Sequence, residues 1–191
     1  MVTSVQLYLG LLAAVALERI VELVLSTRNA RLARARGGVE SGRGHYPVMA
    51  VFHGLFLLCC AAEVVVLRRP FPGTLGWVAL GVVVAAQALR YWAITTLGWR
   101  WNTRIVVVPG TAPITAGPYR WVRHPNYVAV IAEMAALPLV HGAWLTALLF
   151  SLGNAALLRV RIRAEEQALG EPWRLAFTRR PRFLPGGHGG H

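Results

Sequence analysis

The second half of the chain contains the stretch Gly117-Pro118-Tyr119-Arg120-Trp121-Val122-Arg123-His124-Pro125-Asn126-Tyr127, which we call the polar island. One short apolar hairpin later the chain reads Arg161-Ile162-Arg163-Ala164-Glu165-Glu166. Both stretches adjoin segments apolar enough for a membrane. Because ionisable side chains are costly near a bilayer, such clusters usually serve a function. The pattern therefore predicts a membrane protein whose site is built from these two stretches.

The composition predicts a membrane protein as well. The chain has 191 residues, of which 55% are hydrophobic and 15% charged, whereas soluble domains carry about 25% charged residues. A spanning helix needs about 20 apolar residues, which predicts spans at 5–25, 47–67 and 74–97. Two shorter apolar stretches, 127–140 and 143–158, predict a tilted helical hairpin. We expect an all-α, polytopic protein with about five transmembrane helices.

Arginine distribution predicts the orientation. The formal net charge is +12, and the arginines concentrate in the first loop, the third loop and the C-terminal region, while the opposite side has Arg68 and Arg69. Basic loops stay in the cytoplasm. We therefore expect the N-terminus outside and the C-terminus inside the bacterial cytoplasmic membrane, with arginines contacting anionic lipids. A nucleic-acid partner is not expected, since these arginines flank apolar segments.

Several charges fall inside the predicted spans. Buried ions in membranes normally pair with one another, which is the simplest interpretation for Glu18, Arg19 and Glu22. For Arg90 and Glu133, mutual pairing and a role toward a substrate stay equally open. The adjacent Cys59 and Cys60 are expected to be buried hydrophobes. The histidines of the glycine-rich tail, 186–191, are too few to predict a metal site.

Other candidates lie near the predicted cytoplasmic face. His45 and His53 stand at the entry of the second span, and His53 is either an interhelical hydrogen-bond donor or a substrate contact. After the third span, an interfacial aromatic belt would explain Trp99 and Trp101, but it does not explain the neighbouring Asn102. The run 105–108 predicts a loop with short extended pieces.

The polar island has the chemistry of an anion site. Pro125 suits the first turn of a helix, whose free amides would face His124 and attract a carboxylate. Further along, Arg161 and Glu165 are spaced i, i+4 and share a helix face, while Glu166 points about 100° away. A plain basic loop would explain the arginines, but it does not require His-Pro-x-Tyr at a helix start.

The two-part pattern, from Gly-Pro-Tyr-Arg-x-x-Arg-His-Pro-x-Tyr to Arg-x-x-x-Glu-Glu-x-x-Leu-Gly-x-x-Trp, resembles the isoprenylcysteine carboxyl methyltransferase family over roughly 99–185. Phospholipid methyltransferases are more distant relatives. In the first half, His45-Tyr46-Pro47, His53 and Arg90-Tyr91-Trp92 are similar to the branch that partners type III polyketide synthases. That branch O-methylates alkylpyrones or alkylresorcinols.

The resemblance implies an S-adenosylmethionine pocket open to the cytoplasm, capped by the C-terminal segment, with a lipid-like substrate entering between helices. It implies catalytic roles for Arg161 and Glu165. It implies cofactor contacts from Tyr119, Arg123, His124, Pro125, Tyr127 and Glu166. It implies substrate contacts from His45, His53, Arg90, Trp101 and Asn102. Trp173 and Phe177 stand where the family often has tyrosines, so hydrogen bonds to the cofactor are not expected there.

Three regions follow: 1–97 as the substrate side, 98–185 as the methyltransferase core and 186–191 as a flexible tail. An ionised acceptor would need only a positioning arginine, whereas a phenol would need a base, Glu165 or His53. Alkylpyrones or alkylresorcinols are the expected substrates, with coupling to a type III polyketide synthase. Prenylcysteine carboxylates and phospholipid amines stay open, as does the oligomeric state. A small transporter or sensor is disfavoured, because the strongest signal lies at one membrane face.

Overall fold

The computed structural model describes residues 3–42 and 44–183, without the side chain of His45. The described chain is mostly helical, as predicted. Its helices are α1 (Ser4–Ala35), α2 (His45–Val66), α3 (Thr74–Leu97), α4 (Pro125–Leu139) and α5 (Trp144–Ala176). Short 3-10 helices cover Gly98–Arg100 and Gly117–Arg120, and two strands, β1 (Val39–Ser41) and β2 (Ile105–Val107), form an antiparallel pair.

Three of these helices are long and apolar enough to cross a membrane. They occupy Tyr46–Val66, Thr74–Arg100 and Trp144–Ala176. Helix α4 is apolar but short, and α1 carries the charges of Glu18, Arg19 and Glu22 along its length. The apolar helices indicate an integral membrane protein, while the count of five spans and the orientation stay predictions.

Helix α1 extends beyond its predicted end at residue 25. It begins at a capping box in which Thr3 Oγ1 accepts from Gln6 N at 3.2 Å and Gln6 Oε1 accepts from Thr3 N at 2.8 Å. It continues to Ala35 because the intervening alanines, leucines and arginines are strong helix formers. The expectation that Arg28, Arg31 and Arg34 lie in a loop is therefore wrong, since they lie on the last turns of α1.

The main core packs α1, α2, α3 and α4 together. Its fully or nearly buried side chains are Tyr8, Leu12, Val15, Phe56, Cys60, Val64, Val83, Met134 and Leu137. Tyr8 hydroxyl donates to Leu137 O at 3.2 Å, which satisfies a polar atom inside this apolar layer. The burial of Cys60 agrees with its interpretation as a small hydrophobe. Helices α4 and α5 form the predicted hairpin, but the expectation that its second helix is short and ends at 158 is wrong, because α5 continues to Ala176.

Glu63 joins the end of α2 to the start of α5. Its carboxylate accepts from Thr146 N and Thr146 Oγ1, both at 2.7 Å, and from Leu145 N at 3.3 Å. It also pairs with Arg69 at 3.0 Å. A carboxylate is favoured at the amino end of a helix, where free amides and the helix dipole meet it. This intramembrane glutamate is thus a helix cap.

Helix α5 carries the hairpin directly into the second functional stretch. It runs without interruption through Arg161 to Glu166 and bends at Gly170, whose φ of 70° and ψ of −162° lie outside the helical region. Glycine accepts this positive φ without steric cost. The bend turns the following segment back toward the polar island, where Trp173 and Phe177 are buried.

Candidate methyl-transfer site

A cavity of about 1040 Å³ lies between α1, α2, α3, α5, the loop after α3 and the polar island. It brings together residues that are far apart in sequence. The predicted site residues that line it are His53, Arg90, Trp101, Asn102, Tyr119, Arg123, His124, Tyr127, Arg161 and Glu165. Pro125 and Glu166, although described, are not among the residues that line it. The side chain of His45 lies outside the described residues.

An ionic cluster adjoins the cavity, and we call it the inner ionic cluster; it is formed by Glu18, Arg19, Glu22, Arg90 and Glu133. Arg19 pairs with Glu18 at 3.0 Å, with Glu22 at 2.7 Å and with Glu133 at 3.6 Å. Arg90 pairs with Glu133 and approaches Glu22 at 3.8 Å. The prediction of mutual pairing is confirmed. Yet Arg19, Glu22 and Arg90 also line the cavity, so pairing does not hide them from it.

The predicted catalytic pair belongs to a hydrogen-bonded triad. Arg161 Nε donates to the Tyr127 hydroxyl at 3.0 Å, and that hydroxyl donates to Glu165. Arg161 Nη2 also donates to Thr103 O at 2.6 Å. Arg161 and Glu165 share the face of α5 that their i, i+4 spacing predicts. The arrangement fixes a guanidinium, a phenol and a carboxylate side by side on the cavity wall.

The C-terminal segment is bound to the polar island through both backbone and side chains. Arg123 N donates to Pro181 O at 2.9 Å, and His124 N donates to Arg182 O at 3.2 Å. Arg123 Nε donates to Arg180 O at 2.5 Å. These bonds hold residues 180–182 against the start of α4.

Glu166 links the same two segments. It accepts from both Arg182 Nε, at 2.9 Å, and Arg182 Nη2, at 2.6 Å, and lies 3.1 Å from His124 Nε2. This hydrogen bonding raises the pKa of Arg182. Glu166, for which the resemblance implies a cofactor contact, here binds Arg182 and His124.

Aromatic rings pack against one another next to the C-terminal segment. Trp173 lies 5.4 Å from the His124 ring and 4.9 Å from the Phe177 ring, centroid to centroid. Tyr119 packs in the same group with Ala93. Burial raises the pKa of Tyr119, so its phenol stays protonated. These rings give one wall of the cavity a flat, apolar surface.

Two polar residues of α1, Ser26 and Asn29, contact the loop after α3, and the sequence did not predict these contacts. Ser26 Oγ donates to Asn102 Oδ1 at 2.7 Å, and Asn29 Nδ2 donates to Trp101 O at 2.8 Å. Trp101 is only 4% exposed, so the interpretation of this residue as part of an interfacial belt is wrong. Ser26 and Asn29 are spaced i, i+3 on a helix that continues beyond its apolar residues. This spacing places both on one face and could have predicted that they contact the same neighbouring segment.

The strand pair covers another side of the cavity. Glu40, on β1, pairs with Arg34 at 2.6 Å and with Arg104 at 3.1 Å. The hydrogen bond from Arg34 lowers the pKa of Glu40. The strand β2 is one of the short extended pieces predicted for the loop at 105–108, and residues 105–108 line the cavity.

Comparison with known proteins agrees with this architecture. Residues 77–171 match the isoprenylcysteine carboxyl methyltransferase family. The chain is 43% identical to the Bacillus subtilis (strain 168) protein YpbQ over 162 residues, which cover 84% of this chain and 95% of YpbQ. It is 27% identical over 152 residues to a Haemophilus influenzae (strain ATCC 51907 / DSM 11121 / KW20 / Rd) protein, covering 79% of this chain and 88% of that protein.

These matches define a class of membrane methyltransferases. The chain belongs to the isoprenylcysteine carboxyl methyltransferase family. Both relatives carry names that state no activity. The polyketide-associated branch therefore stays a prediction.

Proposed function

We propose that the protein is an S-adenosylmethionine-dependent O-methyltransferase that acts within the cytoplasmic membrane on a lipid-like acceptor. The observation that carries the proposal is a single cavity joining the polar island and the Tyr127–Arg161–Glu165 triad to lipid-facing parts of α1 and α2. Such a cavity suits two substrates, one entering from water and one from the bilayer. We place the polar island at the cytoplasmic face.

The cavity suits the methyl donor in size and in chemistry. Ligand pockets commonly measure about 300–1,000 Å³, so about 1040 Å³ leaves room for a donor and part of an acceptor. The cavity-lining residues Asn102 and Asn126 each have a buried side-chain atom, Nδ2 and Oδ1, with no hydrogen-bond partner among the described residues. Buried polar atoms of this kind favour a polar ligand.

Specific residues would hold each part of the donor, which supplies a methyl group activated by positive sulfur. Arg123 and His124 offer cationic or donor groups for its carboxylate beside the first turn of α4. Tyr119 and Trp173 offer flat apolar surfaces for its base. Asn126 offers an oxygen for an ammonium or hydroxyl group. No metal is required for this chemistry.

The triad is placed for the transfer itself. Methyl transfer is an in-line displacement, which depends on alignment and on exclusion of water. Arg161 is 6% exposed and held by both Tyr127 and Thr103, so its position is set before any acceptor binds. A fixed guanidinium would stabilise the acceptor oxygen as an anion before it attacks the methyl group, and the proton of a phenol or enol acceptor would pass to Glu165 or His53. Glu165 accepts a hydrogen bond from the Tyr127 hydroxyl and so fixes the phenol to which Arg161 donates.

The lipid-facing side of the cavity indicates a long apolar chain on the acceptor. Ile20 and Leu23, on α1, are 57% and 41% exposed and yet line the cavity. Gly54, on α2, is likewise exposed and lines it. An alkyl chain could pass between these helices into the bilayer. We therefore propose alkylpyrones or alkylresorcinols as acceptors, supplied by a type III polyketide synthase, with prenylcysteine carboxylates and phospholipid amines as alternatives.

The decisive test combines binding and turnover. S-adenosylhomocysteine is titrated into the detergent-solubilised protein, and labelled methyl transfer is then measured for alkylpyrones, alkylresorcinols, prenylcysteines and phosphatidylethanolamine. We expect saturable binding and transfer to an alkylpyrone or alkylresorcinol. Absence of binding in a sample with helical circular dichroism would refute the proposal.

A glycine pair tests the lateral opening. Added side chains at Gly54 and Gly81 both meet open space, but only Gly54 lines the cavity. Gly54→Phe should reduce transfer to long-chain acceptors about tenfold more than to short-chain analogues, because the ring narrows the opening. Gly81→Phe, on the outer side of α3, is the matched control. Equal loss for both chain lengths would argue against an opening at Gly54.

A further inference from the structure

Two side chains of α1 hold residues 101–104, a segment that lies between a 3-10 helix and β2. Ser26 Oγ donates to Asn102 Oδ1 at 2.7 Å and accepts from Thr103 N at 3.0 Å. It also accepts from Thr103 Oγ1 at 2.7 Å, because the single hydroxyl proton of Ser26 is already used. Asn29 donates to the first carbonyl of the segment at 2.8 Å. The segment is therefore attached to α1 mainly through Ser26.

The attachment at Ser26 continues to Arg161 through one peptide unit. This unit contains Thr103 O, which accepts from Arg161 Nη2 at 2.6 Å, and the N–H of Arg104. Arg104 N donates at 3.3 Å to Asn102 Oδ1, the same oxygen that accepts from Ser26. The unit is trans and planar, so its N–H and its C=O point in opposite directions. The bond that fixes the N–H on Asn102 therefore directs the carbonyl toward Arg161.

Ser26 reaches the cavity only through this segment. It is 3% exposed and is not among the described residues that line the cavity, whereas Asn102, Thr103 and Arg161 are. Arg161 has a further anchor at the Tyr127 hydroxyl. A guanidinium with one anchor can rotate about its hydrogen bond, whereas two anchors on different nitrogens fix its plane. The carbonyl of Thr103 is thus the contact that sets the orientation of Arg161.

We propose that Ser26 is a positioning residue for Arg161. It contacts neither donor nor acceptor, but it holds residues 102–104 so that Thr103 O keeps the guanidinium aligned with the acceptor oxygen. Alignment matters because a displacement of about 1 Å at a reacting group can lower a rate about 100-fold. The role rests on the proposed function, in which Arg161 stabilises the acceptor oxygen. It gives α1, the first helix of the predicted substrate side, a part in the reaction.

The test compares Ser26→Ala with Thr27→Ala, a control at the next residue. Thr27 is exposed, and its hydroxyl donates to Leu23 O within α1. Labelled methyl transfer from S-adenosylmethionine to 5-pentadecylresorcinol is measured for the solubilised full chain and both variants. Titration with S-adenosylhomocysteine shows whether the donor site is intact.

We expect the two variants to differ in kcat. Ser26→Ala should lower kcat about tenfold, because Arg161 loses its alignment, while KM and the affinity for S-adenosylhomocysteine change less than about threefold. Thr27→Ala should keep kcat within about twofold of the wild type, as surface substitutions usually do. A wild-type kcat in Ser26→Ala, or an equal loss in both variants, would overturn the role of Ser26.

A double-mutant cycle shows whether Ser26 acts through Arg161. Arg161→Lys keeps the positive charge but has one side-chain nitrogen, which cannot bond Tyr127 and Thr103 in the geometry of a guanidinium. In this background Ser26→Ala should lower kcat less than about twofold, because the contact that it disturbs is already lost. A merely structural role would lower kcat about tenfold in both backgrounds, and this additive result would contradict the proposal.

Hydrogen exchange distinguishes failure of this role from failure of the proposed function, since it needs neither donor nor acceptor. The amides of Thr103 and Arg104 should exchange about tenfold faster in Ser26→Ala than in the wild type or in Thr27→Ala. Unchanged exchange would show that Ser26 does not hold the segment, and the methyltransferase proposal would stand without it. Faster exchange in a protein that neither binds S-adenosylhomocysteine nor transfers methyl would keep the attachment at Ser26 and refute the proposed reaction.

Discussion

Glu63 and Glu22 are both buried glutamates within helices of one membrane protein, yet their surroundings differ. Glu63 receives two backbone amides, a hydroxyl and a guanidinium, so both of its oxygens are used. Glu22 uses Oε2 to pair with Arg19, while its buried Oε1 has no partner in the described structure. A carboxylate whose hydrogen bonds are all satisfied stabilises the fold, whereas one that keeps an unpaired buried oxygen contributes less, so the two glutamates should differ in their effect on stability.

The largest effect on stability is expected at Glu63. Glu63→Ala removes the cap of α5 and leaves Arg69 without its carboxylate, so we expect a loss of about 2–3 kcal/mol. Thermal unfolding in detergent, followed by circular dichroism, measures it. Glu171→Ala is the control, since its exposed pair with Arg174 should contribute less than about 0.5 kcal/mol. Similar thermal unfolding midpoints for both variants would show that Glu63 contributes no more to stability than an exposed acid does.

Arg161 extends the comparison to a buried charge for which we propose a role in the reaction. Arg161→Ala removes the guanidinium held by Tyr127 and Thr103, and methyl transfer should fall at least 100-fold, about 2.7 kcal/mol. Labelled methyl transfer measures the rate, and S-adenosylhomocysteine binding controls for folding. His124→Ala and Glu166→Ala should also reduce transfer, by loosening the C-terminal segment. Wild-type rates in all three folded variants would refute the site.

Glu22→Gln tests the other side of the comparison. Because the inner ionic cluster holds one more acid than base, neutralising Glu22 should change the free energy of unfolding by less than about 1 kcal/mol, in contrast to Glu63. The same thermal unfolding assay measures it. A loss of unfolding free energy as large as that of Glu63→Ala would mean that Glu22 stabilises the fold as much as Glu63 does, and the distinction between the two glutamates would fail.

The smallest effect concerns Glu40 and the strand pair. The hydrogen bond from Arg34 lowers the pKa of Glu40 in the folded chain. Its contribution is therefore complete above the unfolded-state pKa, near 4.3, and is lost as the pH falls through the lowered folded value. Hydrogen-exchange protection of 105–107 should decrease over that window. Glu40→Gln should make the protection independent of pH there, and an unchanged pH dependence in this variant would assign the effect to another group.

The sequence predicted the elements that local signals define. The bounds of α3, 74–97, agree with the structure because Pro70, Pro72 and Gly73 precede the helix and Gly98 ends it. The shared face of Arg161 and Glu165 follows from helical spacing alone. Pairing within the inner ionic cluster follows from the cost of isolated charges in a membrane.

Contacts between distant segments could not be predicted in this way. Strands of three residues, such as β1 and β2, are too short for a periodic pattern and pair across more than 60 residues of chain. Ser26 and Asn29 resemble ordinary helix-surface residues until the segment after α3 folds against them. The pairing of Glu166 with Arg182 depends on the bend at Gly170, which returns the chain to the polar island.

The uninterrupted course of α5 fixes a length across the membrane. Thr146 is bound to Glu63 at one end and Arg161 to Thr103 at the other. Fifteen helical residues separate them, a rise of about 22 Å. The hydrocarbon core of a bilayer is about 30 Å thick, and tilt shortens the projected distance further. The two attachment points cannot both reach the headgroups of an undeformed bilayer. Either the bilayer thins around the hairpin, or a polar end of the protein stays below the lipid surface, at the depth where the proposed lipid-like acceptor would enter.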